Sequence, residues 1–531
     1  MAAFLFDQGP VILQAPYLST SSGAITGSGR SYVLIDGGLY SGAVNTTNSA
    51  VSSCTSNCVS WVSGSTFPTG LVAICIVTSG PGCTLYQVSS VISSTLLQLT
   101  TTPGTATGAA FAATNLVIQN TANGTGKANT KASLGMSFTN LTYSVIRNLT
   151  IQNIYVQVSG DTAGAGSQCL VVNNNVTSTS VNHVISGQCK ANVVYSLDPS
   201  GDCTNAEIAY NTLADHDWGI NFGGSASSET CGNLLIHDND ITNWSNWQSS
   251  GGCSSPFHQD GVIGFNYGGS AGPFNAVIYN NYIHGDLTNT CPTGFIYAAD
   301  SMIAAIFNNV LVTTNSASGH NEFGVMWLGQ GGGDPHPYGK YMQVWNNTTV
   351  SGNSQDSCAN FNLTNAGGSD YRNNICVGNT GSFSYDINTY ITTVAATAAV
   401  FGNFDHNIWA PVVSGKFWGS QANGNTASWA TWQGFGFDAH STTTNPSLTS
   451  SYLIPNASSS AYQSGANLAS LATGSFSPLT TGAPQFFGIT GSCGAGCLAR
   501  PSSGAWDVGA YPYAFAGAPG APSGLSATVT P

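Results

Sequence analysis

Acids and histidines are scarce in this chain, so their concentration between residues 215 and 322 is informative. Only 22 acids and nine histidines occur in 531 residues. Asp215, His216, Asp217, His258, Asp260, His320 and Glu322 nevertheless share that one stretch. Superposing the apolar positions of the segments ending at Ile220, Ile263, Ile296 and Val325 puts Asp217, Asp260, Thr293 and Glu322 in one column. Two residues earlier, and so on the same side of an extended strand, stand Asp215, His258, Cys291 and His320. His216 and Gln259 fall between the two columns. Stacked strands lie about 4.8 Å apart, which predicts about 5 Å between Asp217 and Asp260 and on the order of 9.6 Å between Asp260 and Glu322. The first separation suits a retaining glycosidase and the second an inverting one, where a water must fit between the carboxylates. Close carboxylates also split their titrations, leaving one protonated as a general acid. His258 would orient a carboxylate or act as base near neutral pH.

Other chemistries fit the same residue types. Carboxylates beside strands can hold calcium between coils, and histidines with carboxylates can hold a transition metal. They can also be solvated turn residues. The expected assignment is catalytic, with Asp217, Asp260, Glu322 and His258 at the centre, no required cofactor, and calcium as the possible ion. Aromatic residues surround this patch in sequence: Trp218, Trp244, Trp247, Tyr267, Trp327 and Tyr338. Flat rings offer an apolar face to a sugar, so Trp218, Trp244, Trp247, Tyr267 and Trp327 join Asp215, His216, His320 and Lys340 as expected substrate contacts. Trp244 and Trp247 sit in a polar loop, 242–257, that a Cys231–Cys253 bridge would close. Trp327 and Phe265 also continue their strands' inward alternation, which makes them core candidates. His237, His284 and His336 show no partner in the sequence and read as ordinary surface or turn residues.

These segments need a scaffold that repeats. Asn175, Asn211, Asn239, Asn281, Asn309, Asn347, Asn374 and Asn407 each follow a short apolar strand, at spacings of 36, 28, 42, 28, 38, 27 and 33 residues. A strand of about five residues with alternate apolar positions faces the inside of a coil. Asparagine at the turn tolerates the left-handed conformation, and its amide can bond the asparagine one coil away. The expectation is a ladder of structural asparagines, with loops of variable length bulging from a constant coil. The fold class is therefore all-β, a right-handed parallel β-helix (a solenoid) with an N-terminal β insertion.

The ends differ from the middle. Residues 1–43 read as an N-terminal cap with the first coils, 44–114 as a small Cys- and Thr-rich β insertion, and 115–515 as the main solenoid. The run from Trp506 to Tyr511 is expected to be a closing strand over the open edge of the last coil. Residues 516–531 read as a linker and the start of a truncated fibronectin-like module, so a further C-terminal module is expected.

Composition narrows the partners. Charged residues are 6% of the chain, against roughly a quarter in ordinary proteins, while 42% hydrophobic content supports a packed core. Nine basic residues against 22 acidic ones leave a net charge of −13, with no basic cluster for phosphates, which argues against nucleic acid. No apolar run approaches the roughly 20 residues of a membrane span. Fourteen cysteines, with close pairs such as Cys54/Cys58, Cys75/Cys83 and Cys493/Cys497 and no zinc spacing, predict disulfides and an oxidising compartment. The expected protein is a secreted monomer, and Met1 followed at once by mature-looking sequence suggests an export signal replaced by a start codon.

The asparagine-anchored coils, the segment Phe257 to Gly261 and the Trp506–Tyr511 ending resemble the secreted right-handed β-helix proteins of soil bacteria, within the pectate-lyase-like superfamily. The resemblance covers about residues 25–515 and implies the fold and a carbohydrate-active setting. Polygalacturonase-like hydrolases in that superfamily carry paired-Asp, Gly-His-Gly and Arg-Ile-Lys motifs that are missing here, so their catalytic residues do not carry over. Lys340 and Arg372 are the only cations between residues 191 and 400, too few to neutralise a uronate polymer. The expected function is a glycoside hydrolase acting on a neutral, plant-cell-wall type polysaccharide. A calcium-assisted lyase and a non-catalytic binding or adhesive solenoid are the alternatives.

Overall fold

Short apolar strands followed by a two-residue asparagine turn recur because each turn starts a new strand at the same height of the next face. The computed structural model describes residues 39–114 and 232–513 over most of their length, and elsewhere between residues 2 and 224 the β-strands alone. Two 11-stranded parallel sheets run from Ala2–Leu5 to Phe401–Asp405 and from Val11–Ala15 to Ile408–Ala410. A third, 12-stranded sheet runs from Ile25–Ser28 to Trp418–Ser420 and ends on the antiparallel strand Thr426–Ala427. Each full coil gives one strand to each sheet: Ala276–Tyr279, Tyr282–Gly285 and Pro292–Ala298 make one, and Ile303–Phe307 begins the next. This is an all-β parallel β-helix. Its interior is one continuous apolar column, including Ile236, Ile278, Ile306 and Val344 of the first sheet, Ile241, Ile283 and Leu311 of the second, and Val262, Ile296 and Met326 of the third.

The asparagine ladder forms, but its two tasks fall on adjacent residues. The left-handed conformation belongs to the residue before each ladder asparagine: Asp238, Asn280, Asn308, Asn346, Asn373 and His406 have φ between 51° and 61°. The ladder itself runs Asn239–Asn281–Asn309–Asn347–Asn374–Asn407, each Nδ2 donating to the next Oδ1 at 2.9–3.4 Å. Each Nδ2 also donates to a carbonyl of the preceding coil, as Asn309 does to Ile278 O at 3.0 Å. The side chains are buried and satisfied, which is what the low dielectric of the interior requires.

Asp438 ends the ladder. Its carboxylate accepts from Asn407 Nδ2 at 3.0 Å, Trp432 Nε1 at 3.0 Å, Trp409 Nε1 at 3.5 Å and Ser441 Oγ at 2.5 Å. Full burial pushes its pKa up to about 7, against the pull of these donors. Trp432, on the short helix Trp429–Gln433, lies beside Phe404 and Phe437 and belongs to the interior core.

The N-terminal insertion is a closed antiparallel barrel of six strands between Leu39 and Thr114, with its own core around Val59, Ile74, Leu97 and Phe111. Cys54 and Cys58 form the expected disulfide there. A second disulfide, Cys358–Cys376, joins the third sheet to the second inside the coil. Cys83, Cys231, Cys253, Cys493 and Cys497 lie outside the described residues.

The ending from Trp506 to Tyr511 does not add a strand over the last coil. It lies along the side of the solenoid, across the asparagine turns of several coils. Trp506 packs with Val277, Phe307 and Trp345, and Tyr511 with Tyr282, Val310 and Val312. The left-handed asparagines dock it and the segment before it: Asn346 Nδ2 donates to Asp507 O at 3.2 Å, and Asn308 Nδ2 donates to Thr481 O at 2.7 Å. Arg500, fully buried, donates to Asp507 O and Gly509 O. The turn residues still have free donors after turning the chain, and the tail's carbonyls take them up. No described helix is long and apolar enough to cross a membrane.

Candidate functional site

Most of the sequence candidates fall in or beside the segments that join second-sheet strands to third-sheet strands. In successive coils, residues 215–217, 243–258, 286–291 and 314–323 connect a second-sheet strand to a third-sheet strand. The first of these segments holds Asp215, His216 and Asp217, the second Trp244, Trp247 and His258, and the last His320 and Glu322. Trp218 and Asp260 are the first and second residues of the third-sheet strands Trp218–Gly224 and Gln259–Asn266. Those strands, with Pro292–Ala298 and Gly324–Leu328, are consecutive neighbours in the sheet. The edge where the second sheet turns into the third therefore receives candidates from coils stacked about 4.8 Å apart. Tyr267 and Lys340 belong instead to connections from the third sheet to the first.

The register differs from the expected column by one residue at Asp217 and Thr293 and by two at Glu322. Trp218, not Asp217, pairs with Asp260, and Ile220 pairs with Val262. On the other side Asp260 pairs with Gly294, not Thr293, after an irregularity at Gln259. Ile296 then pairs with Met326, not Val325, so Glu322 is out of the Asp260 column as well. A one-residue slip changes the face on which each residue of a strand lies. The separations of about 5 and 9.6 Å drawn from a straight column of carboxylates therefore do not apply.

Among the catalytic candidates, Asp260 has a described side chain, and it is fully buried. Asp215, His216, Asp217, Trp244, His258, Tyr267, His320, Glu322 and Lys340 lie outside the described residues. Trp218, Trp247 and Trp327 are placed as strand positions. Trp247 pairs with His183 in a two-stranded parallel sheet apart from the three main ones. Trp327 stands between the core residues Met326 and Leu328, in register with Tyr297 and Asn360. The inward column at this level is Ile296–Met326–Ala359, and Trp327 stands in the alternate column of its strand.

That alternate column holds residues the sequence reading passed over. Ile263, Tyr297, Trp327, Asn360 and Asn388 follow one another through successive coils. Asn360 accepts from Asn362 Nδ2 at 2.7 Å, while its own Nδ2 is buried without a hydrogen-bond partner. Amide and aromatic side chains alternating with core residues at period two were the available signal.

Two other histidines and one arginine are committed elsewhere. His237 is buried, bonded through Nδ1 to Asp238 at 2.7 Å and stacked on Tyr279. His284 Nε2 lies 2.8 Å from Asp240 Oδ1 and its ring stacks on Tyr282. Neither is the unpartnered turn residue expected from the sequence; His336 lies outside the described residues. Arg372 makes a two-pronged ion pair with Asp370 on the first sheet, away from the candidate edge.

No protein-family model matches the chain, and no curated protein matches it. Among solved structures it is similar to the tailspike gp61 of Pseudomonas phage phi297, at 13% identity over 80% of this chain and 67% of that one, with a TM-score of 0.21. It is also similar to the Gp54 tailspike of Acinetobacter baumannii bacteriophage AP22, solved in complex with A. baumannii capsular saccharide, at 10% identity over 75% and 67% of the two chains, with a TM-score of 0.22. At these identities and TM-scores the likenesses assign no activity to this chain.

Proposed function

We propose that this protein is an extracellular polysaccharide-cleaving β-helix, a glycoside hydrolase whose carboxylates line the edge between the second and third sheets. The observation that carries this reading is topological: a carboxylate or histidine stands within a few residues of the first residue of three third-sheet strands, those beginning at Trp218, Gln259 and Gly324. A polymer laid along the stacking axis would meet these groups in turn. Asp260, with Asp217 and Glu322, supplies the acid and the base or nucleophile, His258 orients them, and Trp218, Trp244, Trp247 and Trp327 offer faces for sugar rings. The disulfides fit an oxidising compartment.

A neutral substrate is favoured because Arg372, one of the two cations between residues 191 and 400, is tied to Asp370 on another sheet. The test is product release from a panel of neutral and acidic polysaccharides. Reducing ends from a neutral glycan, without ultraviolet-absorbing products, support the hydrolase. Unsaturated uronate products would replace it with the lyase, and binding without any release would replace it with an adhesive solenoid.

A further inference from the structure

We propose that His406 and His440, with Asp405 holding the His440 ring in place, form a site for a divalent transition-metal ion of the zinc class at the C-terminal end of the solenoid. The ligand atoms these three residues offer lie within 4.8 Å of one another, and they are the one such group among the described residues. Asp405 closes the last first-sheet strand, His406 is the turn residue after it, and His440 follows the end helix.

His406 occupies the left-handed position that asparagine fills in the preceding coils, at φ 57°. There, asparagine amides donate to tail carbonyls, as Asn373 Nδ2 does to Ala466 O at 2.8 Å. His406 makes the same contact through Nδ1, 2.9 Å from Ser464 O. An asparagine would satisfy that carbonyl equally well. The imidazole adds Nε2, which keeps its lone pair because the proton sits on Nδ1. His440 repeats the arrangement: its Nδ1 lies 2.6 Å from Asp405 Oδ2, again leaving Nε2 as the acceptor nitrogen.

The geometry is held before any ion arrives. Asp405 Oδ1 accepts the backbone N–H groups of His406 and His440, both at 2.8 Å, so the carboxylate cannot swing away. The two rings stack with centroids 4.9 Å apart and planes 12° apart. Imidazoles whose Nδ1 protons go to a carbonyl and a carboxylate have the outer-shell pattern that orients metal-bound histidine. Two imidazole nitrogens, with Asp405 as the outer-shell acceptor, suit zinc, copper or nickel better than calcium or magnesium. The His440 side chain is 68% exposed, which leaves room for water to complete the coordination. A bound ion would join the last coil to the segment after the end helix, beside the tail at Ser464.

The experiment is calorimetric titration of the full, tag-free chain with Zn²⁺, alongside His406→Asn and His440→Asn, with thermal unfolding of each protein with and without the ion. The asparagine amide nitrogen superposes on Nδ1, so both variants keep the native hydrogen bond and lose Nε2 alone. His406→Asn also restores the residue that the other coils carry, so it folds as the wild type does in chelator. The expected result is one equivalent of zinc and a raised Tm for the wild type, with affinity weakened about tenfold or more in each variant and the Tm gain lost. Absence of binding by the wild type, or wild-type affinity in either variant, overturns the proposal.

Discussion

Replacing Asn309 with alanine tests whether the ladder is a structural spine. Asn309 Nδ2 donates to Ile278 O and to Asn347 Oδ1, both at 3.0 Å. Its Oδ1 accepts from the backbone N–H of Asn281 at 3.0 Å and from Asn281 Nδ2 at 2.9 Å. The partners differ in what they lose. Asn281 Nδ2 still has Ile236 O and Tyr279 O, and Asn347 Oδ1 still has the backbone N–H of Asn309. The buried N–H of Asn281 is left without its acceptor, which costs about 1–3 kcal/mol. The other lost bonds contribute about 1 kcal/mol each, and water cannot enter a site this closed. Asn309→Ala should therefore destabilise by about 4–6 kcal/mol, read as a lower urea midpoint at unchanged slope. Hydrogen exchange should speed up first in the coils containing Asn281 and Asn347. Activity per folded molecule should hold, because the ladder lies on the turn between the first and second sheets. A midpoint within about 1 kcal/mol of wild type, or exchange confined to the far end of the solenoid, would refute this reasoning.

Three further predictions concern the scaffold. Between about pH 4 and 7 the folded chain holds a proton on Asp438 that the unfolded chain has already released. Stability of chelator-treated protein should therefore fall with rising pH across that window, by up to about 4 kcal/mol, and Asp438→Asn should flatten the dependence in pH-resolved urea unfolding. Removing the buried Cys358–Cys376 bridge, which closes a loop of sequence separation 18, with paired alanines should cost about 3 kcal/mol; a smaller loss would mean that the coil's packing alone holds these strands together. Arg372→Ala should leave turnover of a neutral glycan unchanged and cost about 1–3 kcal/mol through the half-buried Asp370 pair. A fall in kcat/KM would place this arginine at the substrate.

The fold was legible because its signal is local and repeated. An asparagine after each apolar strand is visible without any knowledge of distant contacts, and the ladder from Asn239 to Asn407 follows from it. The register of the third sheet was not legible, for a physical reason. Val262 and Ile263 are both fully buried, as are Ile296 and, nearly, Tyr297. Hydrophobicity cannot tell the inner face from the outer when both are covered: taking Ile263 for Val262 displaced Asp217 and Thr293 from Asp260, and taking Val325 for Met326 displaced Glu322 further. The tail escaped for another reason: its residues show no periodicity, and its docking depends on asparagine amides more than a hundred residues away in sequence, as for Asn346 and Asp507. The His406–His440 pair was hidden in the same way, since 34 residues and the end helix separate its members.

The central claim is catalysis at the edge between the second and third sheets, and the most direct measurement compares wild type with Asp260→Asn on the neutral polysaccharide that the wild type cleaves. The account predicts that the variant keeps the wild-type fold by circular dichroism and its glycan affinity, while release of reducing ends falls by about a hundredfold or more, the scale of losing a positioned acid or base. Cleavage at the wild-type rate by the folded variant would contradict it and leave Asp260 a buried structural carboxylate.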